Sequence, residues 1–178
     1  MIAVIIESAL KGSQEKNHLV RILGLNEVEG KKNEYVDRKG RTVVFYQMGG
    51  KGELLKKEKY EAIIQKTKKL FFVLDADEDF ELTENKIEEL ISVLNVSAEY
   101  FINCDPKLKK GNLETLLLKC VKEELKKCYS DFLVCLGKQK LEEYTEKNIL
   151  KKLFEIKNPP YDIECTFFDI LKNKFYNL

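Results

Sequence analysis

The sequence predicts an α/β fold: a mostly parallel sheet with helices on both faces, plus a helical C-terminal extension. Three observations predict it. Apolar runs of strand length, rich in β-branched and aromatic residues, recur at 3–6, 41–47, 70–75 and 100–102, and uninterrupted runs suit strands buried on both faces. Segments with apolar residues at helical spacing separate them, which is the pattern of parallel strands joined by crossover helices. After Pro106 the texture becomes Leu- and Lys-rich, with helical spacing over 112–156.

The elements follow in order. Ala3-Val4-Ile5-Ile6 is a buried strand ending at Glu7. Ser13 is placed to cap a helix running to about Leu23, with His18, Leu19, Ile22 and Leu23 on its apolar face and Gly24 as terminator. Arg41–Gln47 is the second strand, followed by the turn Met48-Gly49-Gly50-Lys51-Gly52. A helix is expected over 53–68, with Leu54, Leu55, Ile63 and Ile64 inward. LFFVLD, residues 70–75, is the third strand. Thr83 is expected to cap the next helix, whose inner stripe is Ile87, Leu90, Ile91 and Leu94. Tyr100-Phe101-Ile102 is the fourth strand. Asn158-Pro159-Pro160 breaks the chain before a last helix over 165–175. The boundary near 105–111 divides an α/β core, 1–105, from a helical part, 106–178, expected to pack on it.

Composition narrows the function classes. With 31 Lys and Arg against 30 Asp and Glu, the formal charge is +1, which argues against a general polyanion coat and leaves room for a local basic patch. No apolar run approaches the roughly 20 residues of a membrane helix, so no membrane partner is expected. MIAVIIESAL lacks the basic start and small-residue cleavage site of a signal peptide. Cys104, Cys120, Cys128, Cys135 and Cys165 form an odd set without CxxC spacing. They read as reduced, mostly buried residues of a cytoplasmic protein. The single histidine, His18, lies far along the chain from every cysteine, which disfavours a zinc site.

The chemistry is expected where the strands end. In open α/β sheets ligands gather outside the carboxyl ends of the strands. Glu7 ends the first strand, Gly50 and Lys51 follow the second, and Asp75-Ala76-Asp77-Glu78-Asp79 follows the third. Carboxylates from two strands on one edge form the oxygen-rich pocket that a hard dication such as Mg²⁺ or Mn²⁺ prefers. The i, i+2 spacing of Asp75 and Asp77 would let both face that pocket while Ala76 points away. An EF-hand loop starting at Asp75 fails, because Phe80 and Lys86 stand where Gly and Glu belong. A haloacid-dehalogenase-like phosphatase pattern wants Thr or Val at the position of Asp79. A P-loop fails at Gly52, which replaces the magnesium-binding Ser or Thr.

A glutamate closing the first strand and a DxD after a later apolar strand resemble the Toprim domain of topoisomerases, primases, recombination proteins and OLD-type nucleases. GNLETLLL, Gly111 to Leu118, is similar to an element of a Toprim-like family, the DUF3226 group, related to those nucleases. The resemblance spans roughly residues 3–118 and implies a Toprim- or Rossmann-like sheet. It implies that Glu7 moves a proton in phosphodiester chemistry and that Asp75 and Asp77 hold Mg²⁺, with Glu114 close to the acidic edge. The residue after the glutamate, glycine in the family, is Ser8 here. The acid expected a turn later falls on Glu15 if Ala9-Leu10-Lys11-Gly12 is an insertion.

Each candidate also has a plain structural role. Asp75 and Asp77 could form a solvated turn, and Asp79 could cap a helix or serve a second ion. Glu114 sits in a helical first turn behind a capping Asn112, where the helix dipole favours it. Lys51 could meet phosphate or simply lie on the surface. The expected ligands are thus Asp75, Asp77, Asp79 and Glu114 for metal, Glu7 for proton transfer, and Gly50 and Lys51 for phosphate. The expected partners are a nucleic acid or nucleotide, or a protein bound through the helical C-terminus. A non-catalytic interaction module and a nucleotide- or phosphate-binding regulator are the alternatives to a nuclease.

Overall fold

A computed structural model describes residues 1–7, 14–138, 146–155 and 158–178. It shows an α/β fold with a six-stranded mixed sheet. The strands are β1 (Ile2–Ile6), β2 (Asn26–Glu27), β3 (Glu34–Val36), β4 (Thr42–Gln47), β5 (Lys69–Asp75) and β6 (Ser97–Asn103). The helices among the described residues are α1 (Gln14–Ile22), α2 (Glu58–Ile64), α3 (Phe80–Val93), α4 (Leu113–Lys119), α5 (Glu123–Lys138), α6 (Glu146–Phe154) and α7 (Phe167–Asn177). The sheet order is β2-β3-β4-β1-β5-β6. β1 pairs in parallel with β4 and β5, and β5 with β6, whereas β2 and β3 add an antiparallel edge.

Strand alternation divides the core in two. Ile2, Val4 and Ile6 of β1 and Phe71 and Val73 of β5 pack with α1, α4 and α7 through Leu19, Leu117, Phe168 and Phe175. Ala3, Ile5, Phe72 and Leu74 pack on the other face against Tyr60 and Ile63 of α2 and Ile87 and Leu90 of α3. The helical residues after 106 therefore share one core with the first strand. Edge-on ring contacts join them, with Phe71 and Phe175 centroids 5.4 Å apart. Among the described residues no helix is long and apolar enough to cross a membrane.

Several expectations are corrected. The helix expected over 53–68 is a 3₁₀ turn at Lys51–Glu53 followed by the short α2. Leu54 turns inward and its carbonyl takes the Tyr60 hydroxyl, while Leu55 is exposed. α3 begins at Phe80, capped by Asp79, and Thr83 lies inside its first turn with its hydroxyl on the Asp79 carbonyl. The region 112–156 is divided among α4, α5 and α6, and the last helix runs from Phe167 to Asn177. β2 and β3 were not anticipated. Ser13 and Ser8 lie outside the described residues.

The cysteine expectation is corrected too. Cys120 and Cys165 form a disulfide between the end of α4 and the approach to α7. Cys104 is buried, but Cys128 and Cys135, seven residues apart, are exposed on one face of α5. The disulfide lies beside the Val121–Tyr161 bridge and the Asp162 amide bond to the Cys120 carbonyl, so backbone pairing already holds the two segments together.

His18 links the first helix to that same segment. It is buried, its Nδ1 shares a 2.9 Å hydrogen bond with the Tyr161 hydroxyl, and its ring packs edge-on to Phe154 and Tyr161. Burial, then the charge of Arg21, lower its pKa to about 4. The folded state therefore resists the proton that the unfolded chain accepts near pH 6.5. Stability from this group is complete above about pH 6.5 and is lost progressively as pH falls toward 4, by roughly 3 kcal/mol at the limit. Urea titrations of wild type and His18→Gln between pH 7 and 4 should show that loss in the wild type and its reduction in the variant.

Candidate functional site

The sheet order brings the ends of β1 and β5 side by side, with Ile6 opposite Val73 in register. Glu7 is the first residue past β1, and its Oε1 accepts a hydrogen bond from the Asp75 amide at 3.1 Å. On the other side of β5, Asp75 stands opposite Asn103 at the end of β6. Asn103 Nδ2 donates to Asp75 Oδ1 at 3.0 Å, and the Leu113 amide, opening α4, donates to the same oxygen at 3.1 Å. Three strands and one helix thus converge on one carboxylate.

The electrostatics of that carboxylate are unfavourable. Asp75 is only partly exposed, and desolvation pushes its pKa well above the usual carboxylate range. The negative charges of Glu15, Glu7 and Glu114 push it further, against the hydrogen bond from Asn103. The donor set, carboxylates from several segments around a partly desolvated Asp75, is of the oxygen type that a hard dication takes. Among the described residues no three acids, histidines or cysteines form a ready-made coordination shell. The carboxylates are near neighbours, not a preformed cage.

The acidic run after β5 does not act as one group. Strand alternation ends at Asp75, and Asp77 adopts a left-handed conformation, φ 52°, which aspartate tolerates better than most residues. Its amide and carbonyl pair with Gly111, at 2.7 and 2.6 Å. Its side chain pairs with Lys51 at 2.8 Å, and Lys51 also approaches the Thr83 hydroxyl. Asp75 and Asp77 therefore meet different neighbours, where the i, i+2 spacing suggested a shared pocket. Asp79 caps α3 by accepting from the Leu82 amide at 2.9 Å. Lys51 lines a cavity of about 200 Å³ together with Asp77, Asp79 and Thr83. A larger one, about 640 Å³, opens on the other side of Asp77 toward Lys110, Asn112 and Lys119.

Glu114 belongs with Glu7 and Asp75, since its charge reaches the Asp75 carboxyl from the first turn of α4. Glu15 belongs there as well and exerts the largest charge effect of the three. Asn103 went unrecognised in the sequence. Its signal was its place at the end of a strand next to the acidic one, which required the strand to be extended to residue 103.

Comparison of the chain with protein-family models, curated proteins and solved structures gives no match.

Gly111 holds the two halves of this edge together. A Cβ there would lie 2.6 Å from Thr115 Oγ1 and 2.9 Å from its Cβ, and φ is +103°. Thr115 cannot withdraw without breaking its capping exchange with Asn112. Gly111→Ala should therefore cost about 2 kcal/mol, or roughly 4–8 °C in Tm. Gly52→Ala, at a position with open space and no positive φ, should be near neutral in the same thermal scan.

Proposed function

We propose that this edge is a divalent-cation site in a Toprim-like domain that acts on phosphodiesters of a nucleic acid or nucleotide. The observation that carries the reading is the hydrogen bond joining Glu7 to Asp75 at the ends of two parallel strands, where the charges of Glu15, Glu7 and Glu114 oppose ionisation of Asp75. Groups held in such unfavourable surroundings cluster at functional sites. The Toprim resemblance assigns its glutamate to Glu7 and the first aspartate of its DxD to Asp75.

In this reading Asp75 and Glu114 hold Mg²⁺ or Mn²⁺, with Glu15 and Glu7 completing the negative field. The bound ion would polarise a phosphate and stabilise developing oxyanion charge. Glu7, its Oε1 oriented by the Asp75 amide, would accept or deliver the proton. Asp77 belongs to the outer part of the site, where its Lys51 partner could turn to a phosphate group. Lys51, Lys110 and Lys119 line the flanking cavities, each in an ion pair with an acid there, Asp77, Glu78 and Asp105 in turn.

One observation favours a second reading, a nucleotide- or phosphate-binding regulator without turnover. Asp77 is paired with Lys51 and Asp79 caps a helix, so two of the candidate ligands already have structural work.

The raised pKa of Asp75 gives the first test its sign. An unfolded aspartate ionises near pH 3.9, whereas the folded one retains its proton to higher pH, so the cation-free wild type loses stability as pH rises between those points. Asp75→Asn should therefore melt higher than wild type in EDTA at pH 7. The gain should shrink toward pH 4. Mg²⁺ or Mn²⁺ should raise the Tm of wild type and leave Asp75→Asn unmoved; a wild type indifferent to both ions would sink the proposal. For turnover, metal-dependent cleavage of DNA or RNA should disappear in Glu7→Gln, and binding of Mn²⁺ without any cleavage would select the regulator.

A further inference from the structure

Asn103 is fully buried at the end of β6, and its side chain makes one hydrogen bond, to Asp75 Oδ1. Its own Oδ1 is buried with no donor. A buried acceptor left without a partner costs stability, and an apolar residue of the same shape would avoid that cost. Asn103 is thus poorly explained as a structural residue and well explained by its effect on Asp75. Its backbone reinforces the same end, because its carbonyl accepts the Ala76 amide at 2.9 Å immediately after Asp75.

The effect on Asp75 is specific to one oxygen. Oδ1 receives both the Asn103 amide and the Leu113 amide, while Oδ2 receives no hydrogen bond from the described residues. An ion chelated by both oxygens would have to displace those donors. Ca²⁺ takes six to eight oxygens and commonly uses carboxylates in that two-oxygen mode, whereas Mg²⁺ takes single oxygens in octahedral geometry.

We propose that Asn103 is a positioning residue of the cation site: it occupies Asp75 Oδ1, so that Asp75 meets an ion through Oδ2 alone and the pocket selects a small octahedral dication over Ca²⁺. This rests on the cation site proposed above and adds its selectivity and the residue that sets it. Asn103 touches Asp75 and acts through it.

The test is calorimetric titration of the full chain with MnCl₂ and, separately, CaCl₂, for wild type, Asn103→Leu and Asn103→Ala, with Tm measured in EDTA. Wild type should bind Mn²⁺ more tightly than Ca²⁺. Asn103→Leu should weaken Mn²⁺ by about 10–100-fold, the usual effect of losing a partner behind a metal ligand. The preference for Mn²⁺ over Ca²⁺ should narrow as well, while the Tm in EDTA stays level or rises. Unchanged Mn²⁺ affinity and an unchanged ratio in both variants would overturn the role of Asn103 and leave the cation site standing. A wild type that binds Ca²⁺ as tightly as Mn²⁺ would overturn the selectivity. A wild type that binds neither ion overturns the cation site itself, and this inference with it. Should Asn103→Leu not fold, Asn103→Ala carries the same readouts; loss of folding in both, or a lowered Tm in EDTA, would make the amide structural and the proposal wrong.

Discussion

The hydrogen bond from the Asp75 amide to Glu7 Oε1 exists because β1 lies between β4 and β5 in the sheet. With β1 and β5 parallel and in register, their carboxyl ends finish at the same height, and the first residue past one strand meets the last residue of the other. Everything at the acidic edge follows from that placement. Asp75 is drawn under α4 and beside β6, out of contact with most water, and the acids of two other segments close around it. The fold keeps the stability cost of a carboxyl that resists ionisation. Real proteins accept such local conflicts mainly where a ligand relieves them.

The run Asp75 to Asp79 places four acids in five residues, and the structure disperses them so that they scarcely repel. Asp75 goes inward to Asn103 and Leu113, and Asp77 turns outward to Lys51. Glu78 is exposed with Lys110 3.7 Å away, and Asp79 is spent on the first turn of α3. The device is the left-handed residue Asp77, held by its paired bonds to Gly111. That bend reverses the direction in which the next side chains leave the backbone. It also brings Gly111, Asn112 and Leu113 to the strand end, so the turn that separates the acids delivers the α4 amide to the one kept inside.

The parallel core was legible because its strands are continuous apolar runs. Burial on both faces leaves Ile2–Ile6 and Leu70–Leu74 no room for polar residues. β2 and β3 were not legible. Two or three residues such as Asn-Glu and Glu-Tyr-Val, half exposed at an edge, have no periodicity to read, and only pairing with β4 makes them strands. Asp79 was read as either cap or ligand, and its local bond to Leu82 decided for the cap. The meeting of Glu7 with Asp75 could be expected from strand ends alone. The separation of Asp75 from Asp77 could not, since it depends on a backbone conformation stabilised by Gly111, thirty-odd residues away. The Cys120–Cys165 disulfide and the contribution of Asn103 also needed the third dimension: the first joins segments that composition alone reads as reduced, and the second depends on the register of β6.

The helical residues after 106 are a wall of the site as well as a cover for the sheet. α4 supplies the Leu113 amide and the Glu114 charge to Asp75, and its buried Leu113, Leu116 and Leu117 lie in the same apolar cluster as Val4, Ile6 and Val73. The far end of α4 is tied through Cys120 to Cys165, and Tyr161 beside it bonds to His18 on α1. α1 in turn begins with Glu15, the strongest of the charges on Asp75. A closed circuit therefore runs from the first acid on α1, through His18 and Tyr161, across the disulfide, and back along α4 to Glu114. Each link is a side chain or backbone pair of ordinary strength, and together they join the two helices whose acids act on Asp75. A boundary at residue 106 divides the sequence by texture; the physics of the site crosses it.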